Sequence, residues 1–131
     1  MATINNFEDL EIWQQARNIC KDVYRIIHYE NFSKDFGLAR QINDSSGSVM
    51  DNIAEGFERE GNKEFGQFLT ISKGSCGECR SQLIRAHDRN YISEEEFKLI
   101  YNKLINEGIK IKNFMNYLKR SNYRGNKFKE E

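Results

Sequence analysis

The sequence contains no proline among its 131 residues, so few positions force a helix to end. It also has no net charge, because 20 Lys and Arg residues balance 20 Asp and Glu residues, and no overall field attracts nucleic acid or a membrane. No apolar run approaches the roughly 18 residues of a membrane span. The first residues lack the basic start and apolar centre of a signal peptide. These absences predict a cytoplasmic protein built from long helices.

The three cysteines include one motif, Cys76-Gly77-Glu78-Cys79, with the C-x-x-C spacing of redox and zinc sites. A redox pair sits at the start of a helix, where the helix N-terminus lowers a thiol pKa. A zinc site needs a second pair of ligands, and only Cys20 and two scattered histidines remain. We interpret both cysteines as reduced core residues and predict no metal and no cofactor. A reactive-thiol or metal protein is the alternative class.

The two histidines show no pattern typical of acid–base catalysis. Neither His28 nor the pair His87-Asp88 has a nearby nucleophile or a paired second carboxylate. The sequence also contains no Gly-rich phosphate loop, no Ser-His-Asp order and no HExxH motif. We therefore predict that the protein is not an enzyme and takes no small-molecule substrate.

Apolar residues recur at alternating spacings of three and four along most of the chain, the pattern of helices that bury one side. The sharpest helix boundary is a capping box, in which Ser93 is followed by Glu96. Further predicted caps are Asp9, Ser33 and Asn62. The predicted helices span about 9–29, 34–59, 63–89 and 93–121.

Four such helices with short links predict one domain over residues 1–131, an all-α, antiparallel up-down-up-down four-helix bundle. A period near 3.5 residues favours a left-handed supercoil. In the last helix, the predicted buried positions include Leu104, Gly108 and Ile111. Residues 122–131 are polar, and we predict a loose tail there.

Two stretches of the predicted second and third helices, 47–56 and 72–79, are rich in small residues. Glycine inside a helix costs about 1 kcal/mol relative to alanine, and close approach of another backbone is the expected reason for it. Polar residues run beside the apolar side of both helices and predict a polar network or a subunit contact. The alternative is a solvated face with an ordinary Glu55–Arg59 pair. The predicted network residues are Ser48, Asn52, Glu55, Arg59, Ser75 and Glu78.

The C-terminal end of the chain is basic and carries interleaved aromatic residues. Cations track a nucleic-acid backbone and aromatic rings stack on bases, so this end is a candidate contact for RNA or DNA. The alternative is a solvated helix end, where cations are favoured by the helix dipole. The candidate contact residues are Lys119, Arg120, Arg124, Lys127 and Lys129.

Five segments together resemble the four-helix bundle proteins encoded in bacterial 23S rRNA intervening sequences. The resemblance covers about residues 7–119, in order and with compatible spacing. Its most specific part is Asn-Ile-Ala-Glu-Gly at 52–56 followed by Gly74-Ser75 and Glu78. The segments that carry it are 10–16, 36–42, 52–59, 65–69, and Gly74-Ser75 with Glu78.

The resemblance implies a four-helix bundle that assembles into a ring-like homopentamer. It also implies kinship with the accessory proteins of diversity-generating retroelements, which are basic pentamers that bind nucleic acid and a reverse transcriptase. This chain has Asn43 and Asp44 where the family often has two basic residues, which weakens a nucleic-acid role. Ser33 in place of the family's usual proline, and Cys76 in place of an aliphatic residue, are packing variations.

The sequence therefore predicts a homo-oligomeric scaffold or interaction protein, with itself as the first expected partner. The alternative is an RNA- or DNA-binding accessory factor that uses the basic C-terminal segment. Neither the residues nor the resemblance identifies a biological process.

Overall fold

The computed structural model describes residues 3–121 and the backbone of residues 128–129, and nearly all of this part of the chain is helical. A short 3-10 turn at Phe7–Asp9 precedes the first α-helix. The α-helices are α1 Glu11–Ile27, α2 Glu30–Lys34, α3 Phe36–Glu58, α4 Asn62–Asp88 and α5 Glu94–Arg120.

The four long helices pack in the cyclic order α1, α3, α4, α5, so that each contacts two others. Along the boundary between α3 and α4, Gln41 hydrogen-bonds to Arg85 and Ser48 hydrogen-bonds to Ser75. The residue numbers on α4 therefore fall as those on α3 rise. Along the boundary between α1 and α5, Glu11 forms an ion pair with Lys110 and Asp22 forms one with Lys103, so the residue numbers run in opposite directions there too. Both boundaries therefore have a continuous register.

The buried apolar side chains form two clusters, one towards each end of the long helices. On α3, Ser45 and Ser46 separate residues of the two clusters, and on α5 Glu107 does the same. Along α3 and α5, buried polar residues therefore separate the two apolar clusters. The largest fully buried side chains are Phe32, Phe57, Phe65, Leu10, Ile19, Ile26, Leu38, Ile42, Ile53, Leu69 and Leu83.

α3 begins at Phe36, close to the start predicted near Lys34, but the link before it forms the separate short helix α2, which was not predicted. Asp35 separates α2 from α3, and its Oδ1 accepts a hydrogen bond from the backbone N–H of Leu38 at 3.2 Å. Asp35, rather than Ser33, therefore caps α3. Its other carboxylate oxygen accepts from Tyr91 and Arg89, each at 2.8 Å, and these bonds lower the pKa of Asp35.

The other predicted caps have mixed outcomes. Ser93 caps α5 as predicted, since its Oγ accepts from the backbone N–H of Glu96 at 3.1 Å. Asp9 does not cap α1, which begins after Leu10 without a side-chain cap. Asn62 lies inside α4, where its side-chain amide donates to the carbonyl of Leu118 at 3.1 Å. This bond ties the start of α4 to the end of α5.

The buried positions of α5 match the prediction at Leu104 and Ile111 but not at Gly108. Ile100, Leu104, Glu107 and Ile111 are buried, whereas Gly108 is only partly covered. Both sets of positions fit a three-four alternation. The charge of Glu107 argued against the set that places this residue in the core. The structure nevertheless places this carboxyl in the core.

The two ends of the described chain meet in a short antiparallel pairing. Thr3–Ile4 pairs with Phe128–Lys129, which corrects the prediction of a loose tail at those last two residues. The rest of the predicted tail, residues 122–127 and 130–131, lies outside the described residues. No helix in the part that the structure describes is long and apolar enough to cross a membrane.

Candidate functional site

Three of the predicted network residues come together between α3 and α4. The hydroxyl oxygens of Ser48 and Ser75 lie 2.8 Å apart. The side-chain amide of Asn52 donates to the backbone carbonyl of Ser48 at 2.8 Å and to its hydroxyl oxygen at 2.9 Å. Because Ser48 accepts from Asn52, its own hydroxyl can donate to Ser75. The chain of bonds holds α3 and α4 in one register at a position close to the surface.

The other three predicted residues stand apart from this cluster. Glu55 and Arg59 form an exposed ion pair at 2.9 Å on the next turns of α3. The Arg59 guanidinium also lies over the ring of Phe68, 5.1 Å from its centre. Glu78 is exposed and makes no hydrogen bond or ion pair within residues 3–121. A role for all six residues in a subunit contact stays a prediction.

Several buried polar contacts between helices were not predicted. The Ser45 hydroxyl donates to the Gln82 side-chain oxygen at 2.6 Å, and the Ser72 hydroxyl donates to the carbonyl of Val49 at 2.7 Å. The Cys20 thiol donates to a further α3 carbonyl, that of Ser46, at 3.3 Å. The sequence signal for such contacts is a serine at a position where the periodicity predicts an apolar side chain. A hydroxyl buried at such a position needs a hydrogen-bond partner.

The helix glycines divide into one tight position and several open ones. A Cβ atom at Gly56 would lie 2.7 Å from Cβ of Phe68 and 2.8 Å from the ring of Phe65. The close approach predicted for the glycine-rich stretches therefore occurs at Gly56, although to side chains rather than to a backbone. At five other helix glycines no such approach occurs among the described residues, because an added Cβ would meet nothing within 4 Å. These open positions are Gly47, Gly66, Gly74, Gly77 and Gly108.

The C-x-x-C motif lies inside the helix packing. Cys76 and Cys79 are buried free thiols, and burial raises the pKa of each to about 12. At neutral pH both are therefore thiols rather than nucleophilic thiolates. Within residues 3–121, no group of three or more His, Cys, Asp or Glu side chains could hold a metal ion.

Glu107 is the most unusual polar group in the core. The residue is fully buried, and neither of its carboxyl oxygens has a hydrogen-bond partner in the described structure. Burial raises its pKa to about 8, although the nearby Lys110 acts in the opposite direction. The carboxyl group therefore keeps its proton at neutral pH. Sequence reasoning gave no signal for this residue, since α5 carries many charged side chains that face water.

The structure describes only part of the basic C-terminal end. Lys119 and Arg120 are exposed in the last turn of α5. Arg124 and Lys127 lie outside the described residues, and for Lys129 only the backbone is described. Contact of these five residues with RNA or DNA stays a prediction.

Comparison with known proteins supports this architecture. A crystal structure of a protein of unknown function from the S23 ribosomal protein family of Bacteroides thetaiotaomicron VPI-5482 superposes with a TM-score of 0.73 at 20% identity. The match covers 79% of this chain and 97% of that one. No curated protein matches the sequence. The family model described as 23S rRNA-intervening sequence protein matches residues 8–120. The chain therefore belongs to the 23S rRNA-intervening sequence protein family.

Proposed function

We propose that the chain is a non-enzymatic, antiparallel four-helix bundle that assembles with copies of itself into a closed homopentamer. The reversed numbering of bonded residues along the α3–α4 and α1–α5 boundaries supports the antiparallel arrangement. The regular three-four spacing of buried residues supports a left-handed supercoil. The pentamer is the assembly that the family resemblance implies.

The open helix glycines are the main observation that supports self-association. Each costs about 1 kcal/mol of helix stability relative to alanine, and nothing in the described chain fills the space beside them. Gly47, Gly74 and Gly77 lie on outward parts of α3 and α4, so they let another backbone come close. Neighbouring apolar side chains such as Ile71, which is 52% exposed, could be covered by the same contact.

The role that suits such an assembly is a cytoplasmic scaffold that presents repeated copies of one surface. The buried thiols and the satisfied serine cluster offer packing and register rather than reactive groups. A ring of identical subunits would display each exposed face once per subunit, at fixed spacing.

The test is to fill the open glycine positions and measure the native mass. Gly47→Gln and Gly74→Gln fit the isolated chain, because the added Cβ would meet no other described part of the chain within 4 Å, and glutamine favours helix. Self-association predicts that the wild type is a pentamer and that these variants have lower native mass with intact helicity. Gly37→Gln, in the first turn of α3, is the matched control and should keep the wild-type mass.

If the wild-type chain is a monomer, the proposal is wrong. If the wild type assembles and both glycine variants keep its mass, assembly occurs, but not through the open glycines.

A further inference from the structure

A groove runs along the outside of the bundle between α4 and α5. It has a volume of about 320 Å³, and Gly77 on α4 and Gly108 on α5 both line it. An added Cβ at either glycine would meet nothing within 4 Å, so the two missing side chains open the groove. Ile109, which is 53% exposed, stands at its edge. The groove therefore offers an apolar and recessed surface to another helix.

The groove is also positively charged. Its lining includes Lys73, Arg80 and Lys112 and no acidic residue. Within residues 3–121, none of these cations forms an ion pair. Arg80 lies over the ring of Tyr101, 5.6 Å from its centre, and its buried Nε has no hydrogen-bond partner in the part of the chain that the structure describes. A partner that fits this groove should carry carboxylates beside small or apolar residues.

A surface with those properties is present on the same chain, on the outer side of α3. Asp44, Asp51, Glu55 and Glu58 are all exposed, and their spacings of seven, four and three place them on one face of the helix. Gly47 lies on this face and leaves room for a side chain such as Ile109. Arg40, one turn before Asp44, limits the acidic face to the part of α3 that follows it.

The two surfaces differ in charge although the whole chain is neutral, with 20 basic and 20 acidic residues. They lie on different helices of one bundle, so a chain cannot fill its own groove with its own α3. A contact between two different surfaces of identical chains is heterologous, and repetition of such a contact produces a ring when the rotation closes.

We propose that the α4–α5 groove of one copy receives the acidic outer face of α3 from a second copy. This inference rests on the proposed self-association and names the two surfaces that meet. Ile109 packs beside Gly47 of the second copy, and the groove cations pair with Asp44 and Asp51 of that copy. Since these ion pairs are near the surface, assembly should weaken as salt concentration rises.

The test uses charge reversal in the full-length protein. The groove variant carries Lys73→Glu and Lys112→Glu, and the face variant carries Asp44→Lys and Asp51→Lys. The swapped variant carries all four changes. The altered residues are exposed, so the fold should persist, and circular dichroism checks it. The control is Lys21→Glu, an exposed reversal on α1.

We expect the groove variant and the face variant each to lose the assembled species, measured as native mass by light scattering. The swapped variant should recover the wild-type mass, because each contact again joins opposite charges, and the control should keep it. Recovery distinguishes a direct pairing of the two surfaces from general charge disruption.

Two results would overturn the inference while self-association stands. One is a wild-type assembly whose mass is unchanged in the groove and face variants. The other is loss of assembly that the swapped variant does not restore. A monomeric wild type would instead refute the proposed self-association itself, and with it the pairing of the two surfaces.

Discussion

Replacing Glu107 with glutamine should stabilise the folded chain at neutral and alkaline pH. The wild-type carboxyl group is fully buried and has no hydrogen-bond partner among the described residues, and its pKa rises from the ordinary 4.5 to about 8. Each pKa unit corresponds to about 1.4 kcal/mol, so the ionised form costs roughly 5 kcal/mol of folding free energy above that pH. Glutamine has a similar shape and cannot ionise.

The sign of the pH dependence follows from proton binding. Between pH 4.5 and about 8 the folded state keeps the Glu107 proton, whereas the unfolded state has released it. The folded state therefore binds more protons, and Glu107 makes stability fall as pH rises through this window. Below the window Glu107→Gln should differ little from the wild type, because both bury an unpaired polar group. The stability advantage of Glu107→Gln should grow as the pH rises from 4.5 to about 8 and should stay constant above that pH.

Urea unfolding followed by circular dichroism, repeated at several pH values, measures this difference. Protein concentration must be held constant, because any self-association would also contribute to apparent stability. Glu95→Gln, an exposed change on the same helix, is the control and should show no such growth. An advantage of Glu107→Gln that is the same at every pH would refute the assignment of a buried protonated carboxyl.

Three further predictions concern the tight glycine, the thiols and the basic end. Gly56→Ala should lower the free energy of unfolding by about 1–2 kcal/mol, because the new Cβ would lie 2.7 Å from Cβ of Phe68; a more stable variant in thermal unfolding would contradict this. Cys76 and Cys79 should not react with a thiol reagent until the protein unfolds, and rapid labelling of the folded chain would contradict their burial. If the basic end binds RNA or DNA, deletion of 119–131 should abolish a binding that weakens steeply with salt; unchanged binding would exclude that end.

Much of the helical fold could be predicted from the sequence, because hydrophobic periodicity reports which side of a helix is buried. Ser93 marked a helix start correctly, since its partner Glu96 lies at the expected spacing. The short helix α2 could not be predicted, because it ends at Asp35, whose carboxylate accepts hydrogen bonds from Arg89 and Tyr91 just after the C-terminal end of α4. Local sequence contains no information about such distant partners.

The candidate site was less predictable than the fold. Periodicity placed Ser48, Asn52 and Ser75 beside each other because all three lie at the edge of the apolar side. The same rule grouped Glu78 with them, although its side chain turns out to be exposed. Glu107 was missed because a charged residue in an amphipathic helix usually faces water, and burial of a carboxyl depends on its neighbours on other helices.

The native mass of the wild-type chain, purified without nuclease, tests self-association most directly. Mass from light scattering should be read together with the ratio of absorbance at 260 and 280 nm, which detects bound nucleic acid. A closed homopentamer without bound nucleic acid predicts a single species of five chain masses with the absorbance ratio of pure protein. A monomer would contradict self-association, and the open glycines would then belong to an ordinary solvated surface.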